Sequence, residues 1–144
     1  MNYEIAKKFM YKGILCVVVK MGFYQLGKVT IIKHRLKENM KISRIYHNGY
    51  VESSLKCSYH DLERHIKSVE LTYSGHLSQI DHTLKDRWFL GFDTAHHWNL
   101  LHPNTQNAKA VEKTLKELCD EIRSKGGIQK IYDDNVAEII AEKL

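Results

Sequence analysis

A chain of 144 residues with net charge +5, 43% apolar and 27% charged side chains, eight glycines and one proline has the composition of a single folded domain with a sizeable core. These totals exclude collagen-like, low-complexity and disordered classes, and at this size no disulfide or metal staple is required. The longest unbroken apolar run, residues 14–19, is too short to cross a bilayer and no charged-then-apolar leader opens the chain, so a cytoplasmic protein with no membrane partner is expected.

Charge is unevenly spread. Residues 1–47 hold ten Lys and Arg against Glu4 and Glu38, a surplus of eight, while the remaining 97 residues are three acids to the negative side. A concentrated positive region attracts phosphates, nucleic acid or an acidic protein surface. The competing reading is an edge strand whose lysines block pairing with other chains.

Residues 9–20 read as a β-hairpin, with Lys12-Gly13 as the turn and Val17-Val18-Val19 as a buried strand. Gly22 and Gly27 bracket residues 23–26, residues 29–32 form a further strand, residues 34–44 a basic loop or short helix, and residues 42–51 resume a strand pattern. Ser58 or Asp61 caps a helical turn over residues 61–66, and residues 69–73 alternate as a half-buried strand does. Residues 87–94 are apolar on both faces and fit a central strand. The period then changes. Val111, Leu115, Leu118, Cys119 and Ile122 fall on one face of a helix, Glu112 and Lys116 pair on its outside, and Gly126-Gly127 ends it. A last short helix is expected to start at Asp133-Asp134-Asn135, with Val136, Ile139, Ile140 and Leu144 as its stripe. Strands first and helices last predict an α+β domain, a mainly antiparallel sheet with the C-terminal helices on one face. It divides into a basic β-rich part (1–55), central strands (56–107) and C-terminal helices (108–144).

The richest segment for chemistry is 88–99, which holds both tryptophans, Asp93, His96, His97 and Asn99. A strand that breaks into acid and imidazole can orient a histidine or supply metal ligands, which makes Asp93, His96 and His97 the candidate metal set. Asp93 as a turn cap and the histidines as interface residues is the competing reading. The nine histidines form no HExxH or His-x-His pattern, Ser74 lacks the GxSxG elbow, and no phosphate-cradling glycine loop occurs. The cysteines Cys16, Cys57 and Cys119 are odd in number and far apart, against a disulfide framework or a zinc knuckle. Tyr24, Tyr46, His47, Tyr50 and Tyr59 interleave with Lys28, Arg35, Lys41 and Arg44, a mixture that stacks a base and neutralises a phosphate. The candidate ligand-binding residues, from this region and from the edge of the 88–99 segment, are Lys28, Lys33, Arg35, Lys41, Arg44, Tyr46, Tyr50, Tyr73, Trp98 and Asn99.

The blocks Asn48-Gly49-Tyr50-Val51, Leu71-Thr72-Tyr73-Ser74-Gly75 and Trp88-Phe89-Leu90-Gly91-Phe92-Asp93-Thr94-Ala95-His96, followed by the helix with Glu112 to Leu118, resemble a family of small proteins encoded by phages and prophages. The similarity covers about residues 11–122, and Gly-Phe-Asp-Thr-Ala-His is its most specific part. The resemblance implies a phage-type accessory role in the host cytoplasm and little defined chemistry. Where the family usually carries His-Gly-Gly this chain has Ser68-Val69-Glu70, and Asn99 stands where an acid is frequent. The expected function is thus non-enzymatic binding of a host protein or a nucleotide-like or nucleic-acid ligand, acting as an inhibitor or sponge against host defence and requiring no cofactor. The alternatives are a small metal-dependent hydrolase centred on Asp93, His96 and His97, and a virion or assembly component that forms a homo-oligomer.

Overall fold

A computed structural model describes residues 2–25, 41–94, 99 and 102–144. Five strands, β1 (Asn2–Tyr11), β2 (Ile14–Gln25), β3 (Lys41–Ser53), β4 (Tyr73–Gly75) and β5 (Trp88–Phe92), form an antiparallel sheet in the order β1-β2-β3-β5-β4. Helices α1 (Ala108–Ser124) and α2 (Ile128–Glu142) follow. The chain is an α+β fold, and no helix among the described residues is long and apolar enough to cross a membrane.

The turn between β1 and β2 forms because Lys12 and Gly13 both take positive φ, +50° and +77°. That pair matches the twist of the flanking strands. Strand β1 begins well before the hairpin expected from residue 9, and its register shifts between Ile5 and Lys7. Such a bulge reverses side-chain parity. Ile5 consequently packs with Val17 and Val19 on one face, while Phe9 and Tyr11 pack on the other with Cys16 and Val18.

The face of Phe9, Tyr11, Cys16 and Val18 carries α1. Val111, Leu115, Leu118, Cys119 and Ile122 are its buried stripe, as the spacing predicts, and each large aliphatic side chain removed from water contributes roughly 1.5–3 kcal/mol. Asn107 caps the helix by accepting from the Ala110 N–H at 2.8 Å. The opposite face, that of Ile5, Val17 and Val19, is covered by the connection between β4 and β5, which lays Leu77, Ile80 and Leu84 over Val19, Tyr50 and Phe89. Strand β5 is central and buried, flanked by β3 and β4.

Three elements differ from the sequence reading. The helical turn near residue 60 spans Tyr59–Asp61, and Ser58 caps it. Of residues 69–73 only Tyr73 joins a strand, because Val69 and Leu71 are drawn into the core under α1 instead of alternating along a ladder. Helix α2 starts at Ile128, five residues before the expected Asp133, and is fifteen residues long. Its buried side chains are Ile128, Ile131 and Asn135, whereas Ile140 and Leu144 are exposed. Asp133 and Asp134, which resemble a cap in sequence, sit mid-helix and pair one turn back with Gln129 and Lys130.

Glu121 of α1 accepts the backbone N–H groups of Lys67 and Ser68, each at 2.8 Å, and pairs with Lys125 at 2.7 Å. Burial alone raises this carboxyl, but Lys125 and the Ser68 and Lys67 donors outweigh it and hold the group at about 2, below its ordinary 4.5. Since the folded-state value is the lower one, this stabilisation is complete above the unfolded-state value and disappears as the pH falls from about 4.5 to about 2. Urea titrations across that window are expected to lose about 3 kcal/mol from this group. In Glu121→Gln the pH dependence over the same window should flatten correspondingly.

Candidate functional site

The residues singled out in the sequence do not gather in one place. Lys28, Lys33, Arg35, His96, His97 and Trp98 lie outside the described residues. Tyr46, Tyr50 and Tyr73 lie on the sheet, on or beside the face away from α1. Asp93 and Asn99 line a cleft at the end of β5.

Tyr50 and Tyr73 meet because of a glycine. Gly91 on β5 is the cross-strand partner of both Tyr50 on β3 and Tyr73 on β4. A Cβ at Gly91 would fall 2.4 Å from Tyr50 Cδ1, so the Tyr50 ring occupies the space a side chain there would fill. The two rings meet edge to face, with centroids 5.6 Å apart and planes at 86°, the arrangement the ring quadrupoles favour. Burial pushes the Tyr50 phenol up, with the Asn48 hydrogen bond opposing, and burial raises Tyr73 as well. Both therefore stay neutral at physiological pH.

These two tyrosines wall a cavity of about 230 Å³ with Tyr3 and Met21 from the sheet, and His76, Leu77, Gln79 and Ile80 from the segment after β4. Tyr73 donates its hydroxyl to the His76 carbonyl. His76 in turn engages the Arg87 carbonyl through Nδ1 at 2.8 Å and meets Trp88 edge-on. Asn48 lies on β3 between Tyr46 and Tyr50 and is only 7% exposed. Its Nδ2 contacts Met21 Sδ and lies 3.5 Å from the Tyr50 hydroxyl, while its Oδ1 is buried with no partner among the described residues. An unpaired buried acceptor costs about 1–3 kcal/mol.

Tyr3, Met21, His76 and Gln79 were not singled out in the sequence. Tyr3 reaches this face only through the register shift after Ile5, and no local pattern announces a bulge. His76 sits directly after a strand ending in glycine, a weak signal.

The second cleft, about 430 Å³, lies between the end of β5 and the first half of α1. Asp93, Glu70 and Glu117 bring acid to it, Lys113 brings one base, and Asn99, Thr94 and Thr105 bring neutral polar groups. Thr72 donates to Asp93 at 3.1 Å. Thr94 continues the sheet past the last residue of β5, its hydroxyl donating to the His47 carbonyl at 2.9 Å. Asn99 donates to Thr105 at 2.9 Å. Among the described residues no three His, Cys, Asp or Glu side chains are placed to share a metal ion.

The described cations of the basic third are largely paired. Lys7 meets Glu112 at 2.8 Å, Lys8 meets Asp81 at 2.9 Å and Lys12 meets Asp120 at 2.5 Å. Part of the charge asymmetry is therefore internal complementarity between the N-terminal strands and the acidic later elements. The backbones of Lys41 and Arg44 stand elsewhere, on the far end of the β2–β3 ribbon, opposite Gln25 and Phe23.

No family model, no curated protein and no solved structure matches this chain.

Proposed function

We propose that this chain is a non-enzymatic binding protein of the phage accessory type, which sequesters a nucleotide-like ligand on the sheet face away from α1. The observation that carries this reading is the Tyr50–Tyr73 corner, two neutral rings set at 86° on one wall of a cavity. Tyr73 is the more exposed of the two, Tyr50 being 6% exposed, and an aromatic face that a ligand reaches stacks heterocyclic rings irrespective of their substituents. The ribbon geometry adds support. Met21, on the cavity wall, pairs with Tyr46, and Arg44 lies two residues further along β3, about 7 Å at strand spacing. A phosphate attached to a ring in the cavity is within reach of the basic end of the ribbon.

Calorimetry with a panel of nucleoside mono-, di- and triphosphates at low salt tests this. Saturable binding at one ligand per chain is expected, weakened about tenfold by the double change Lys41→Glu and Arg44→Glu, since each phosphate contact adds a salt-dependent increment. No binding to any member of the panel overturns the reading.

The hydrolase alternative is favoured by the cleft holding Asp93, Glu70 and Glu117. Chromatography of the same incubations separates the two. Product formation that Asp93→Asn abolishes, together with a metal ion retained by the purified protein, replaces the binding reading with the enzymatic one.

A further inference from the structure

We infer that the tyrosine cavity is a base pocket: it takes a neutral, amino-bearing purine or pyrimidine ring and leaves the sugar and phosphates outside. This rests on the nucleotide-binding reading above and names which part of the ligand enters. Size limits what the cavity admits. At about 230 Å³ the cavity falls below the roughly 300–1,000 Å³ of sites that enclose a whole ligand, which leaves room for a ring and not for a nucleotide.

Charge keeps the phosphates out. The lining comprises tyrosines, Met21, His76, Gln79 and aliphatic side chains, with no lysine or arginine. A phosphate drawn inside would lose its water without gaining a counter-charge. A neutral ring loses little and gains stacking on one tyrosine with the edge of the other against its rim.

The polarity of the hydrogen-bonding atoms around the cavity selects among rings. His76 Nδ1 faces a carbonyl oxygen 2.8 Å away, so Nδ1 carries the proton, and in the neutral imidazole Nε2 is then an acceptor. Asn48, behind Tyr50 and Met21, holds a buried carbonyl oxygen without a partner among the described residues. Met21 is unbranched and only half buried, so its thioether can yield to an incoming group. The buried Asn48 oxygen in want of a donor, reached once Met21 yields, and an imidazole acceptor on the exposed His76 of the cavity wall suit a ring bearing an exocyclic amine. A tryptophan or tyrosine side chain from a protein partner offers a single donor.

The test titrates the full-length chain with adenosine, cytidine, guanosine and uridine, and with ribose 5-phosphate and N-acetyl-tryptophanamide, following binding by calorimetry and amide NMR shifts. At least one amino-bearing nucleoside is expected to saturate, uridine about tenfold more weakly and ribose 5-phosphate not at all. Tyr73→Leu is expected to weaken nucleoside binding by about tenfold or more, the loss of one stacking surface. Tyr3→Ala, at a position 42% exposed, serves as a second variant with little risk to folding and should also weaken it. Nucleotides that bind while nucleosides do not, unaffected by either variant, overturn the base pocket and leave the nucleotide reading standing. Uridine binding as tightly as adenosine overturns the amino preference, and N-acetyl-tryptophanamide binding in place of every nucleoside assigns the cavity to a protein side chain. If no nucleoside and no nucleotide binds, both readings fall.

Discussion

Gly91→Ala is expected to destabilise the protein by about 1–3 kcal/mol, the usual cost of forcing extra atoms into a packed site, and to lower Tm by about 3–10 °C for a chain of this size. The methyl group would sit 2.4 Å from Tyr50 Cδ1 and 3.1 Å from the Gly49 carbonyl oxygen. The backbone oxygen cannot retreat without breaking the β3–β5 ladder, so the Tyr50 ring must turn away. Turning it dissolves the edge-to-face contact with Tyr73. Gly49→Ala is the control on the opposite face, where the added carbon would meet Phe92 at 2.6 Å and Leu115 at 3.0 Å. Both variants should lose comparable stability in thermal melts, but only Gly91→Ala should perturb ligand binding once folded protein is compared at equal concentration. Equal binding by the two variants would separate the tyrosine corner from the ligand.

The second large effect concerns two thiols. Cys16 on β2 and Cys119 on α1 are fully buried, with sulfurs 3.5 Å apart although the two are 103 positions apart in sequence. The hydrogen bond to Cys119 and burial push the Cys16 thiol well up, so in the resting protein it is protonated and unreactive. Oxidised glutathione at alkaline pH, with enough denaturant to loosen α1, is expected to form a mixed disulfide that the second thiolate resolves. Two protein thiols and one glutathione disulfide then give one protein disulfide and two glutathione thiols. The sulfurs must close by about 1.5 Å to bonding distance. Cross-linking a loop of about 100 residues is worth up to about 4.7 kcal/mol in the chain-entropy model, and Tm should rise by about 10 °C or more less any native strain. Intact mass should fall by two hydrogens, and Cys119→Ala should abolish the change while Cys57→Ser leaves it intact. A cross-link that involves Cys57 instead would contradict the β2–α1 packing.

Much of the fold was legible because the relevant signals are local. Lys12-Gly13 announces a tight turn, and the spacing from Val111 to Ile122 gives the buried face of α1 residue for residue. Residues 88–92 are apolar on both faces because β5 has a helix layer on one side and the 76–87 segment on the other. Helix α2 was misread because its buried stripe is only Ile128, Ile131 and Asn135. So thin a stripe gives little periodicity, and two aspartates in mid-helix imitate a cap.

The candidate site was legible in part. Tyr50 stands out in the sequence for its aromatic character among basic residues and Tyr73 is a ligand-binding candidate beside it, yet nothing within either segment says that they touch. Asn99 was grouped with them and belongs instead to the Asp93 cleft. The surplus of positive charge in the first third was visible from counting, but counting cannot show that Lys7, Lys8 and Lys12 each meet a carboxylate from a later element.

The sequence by itself determined that an antiparallel sheet comes first and helices last, the turn at Lys12-Gly13 and the face that α1 buries, since periodicity and turn chemistry act over a few residues. The tertiary structure alone decided that Gly91 seats Tyr50 against Tyr73, that the register shift after Ile5 sends Tyr3 to the same face, and that Cys16 meets Cys119. Each of these depends on strand register or on helix-to-sheet packing, which are set by the core as a whole and leave no mark at the positions they bring together.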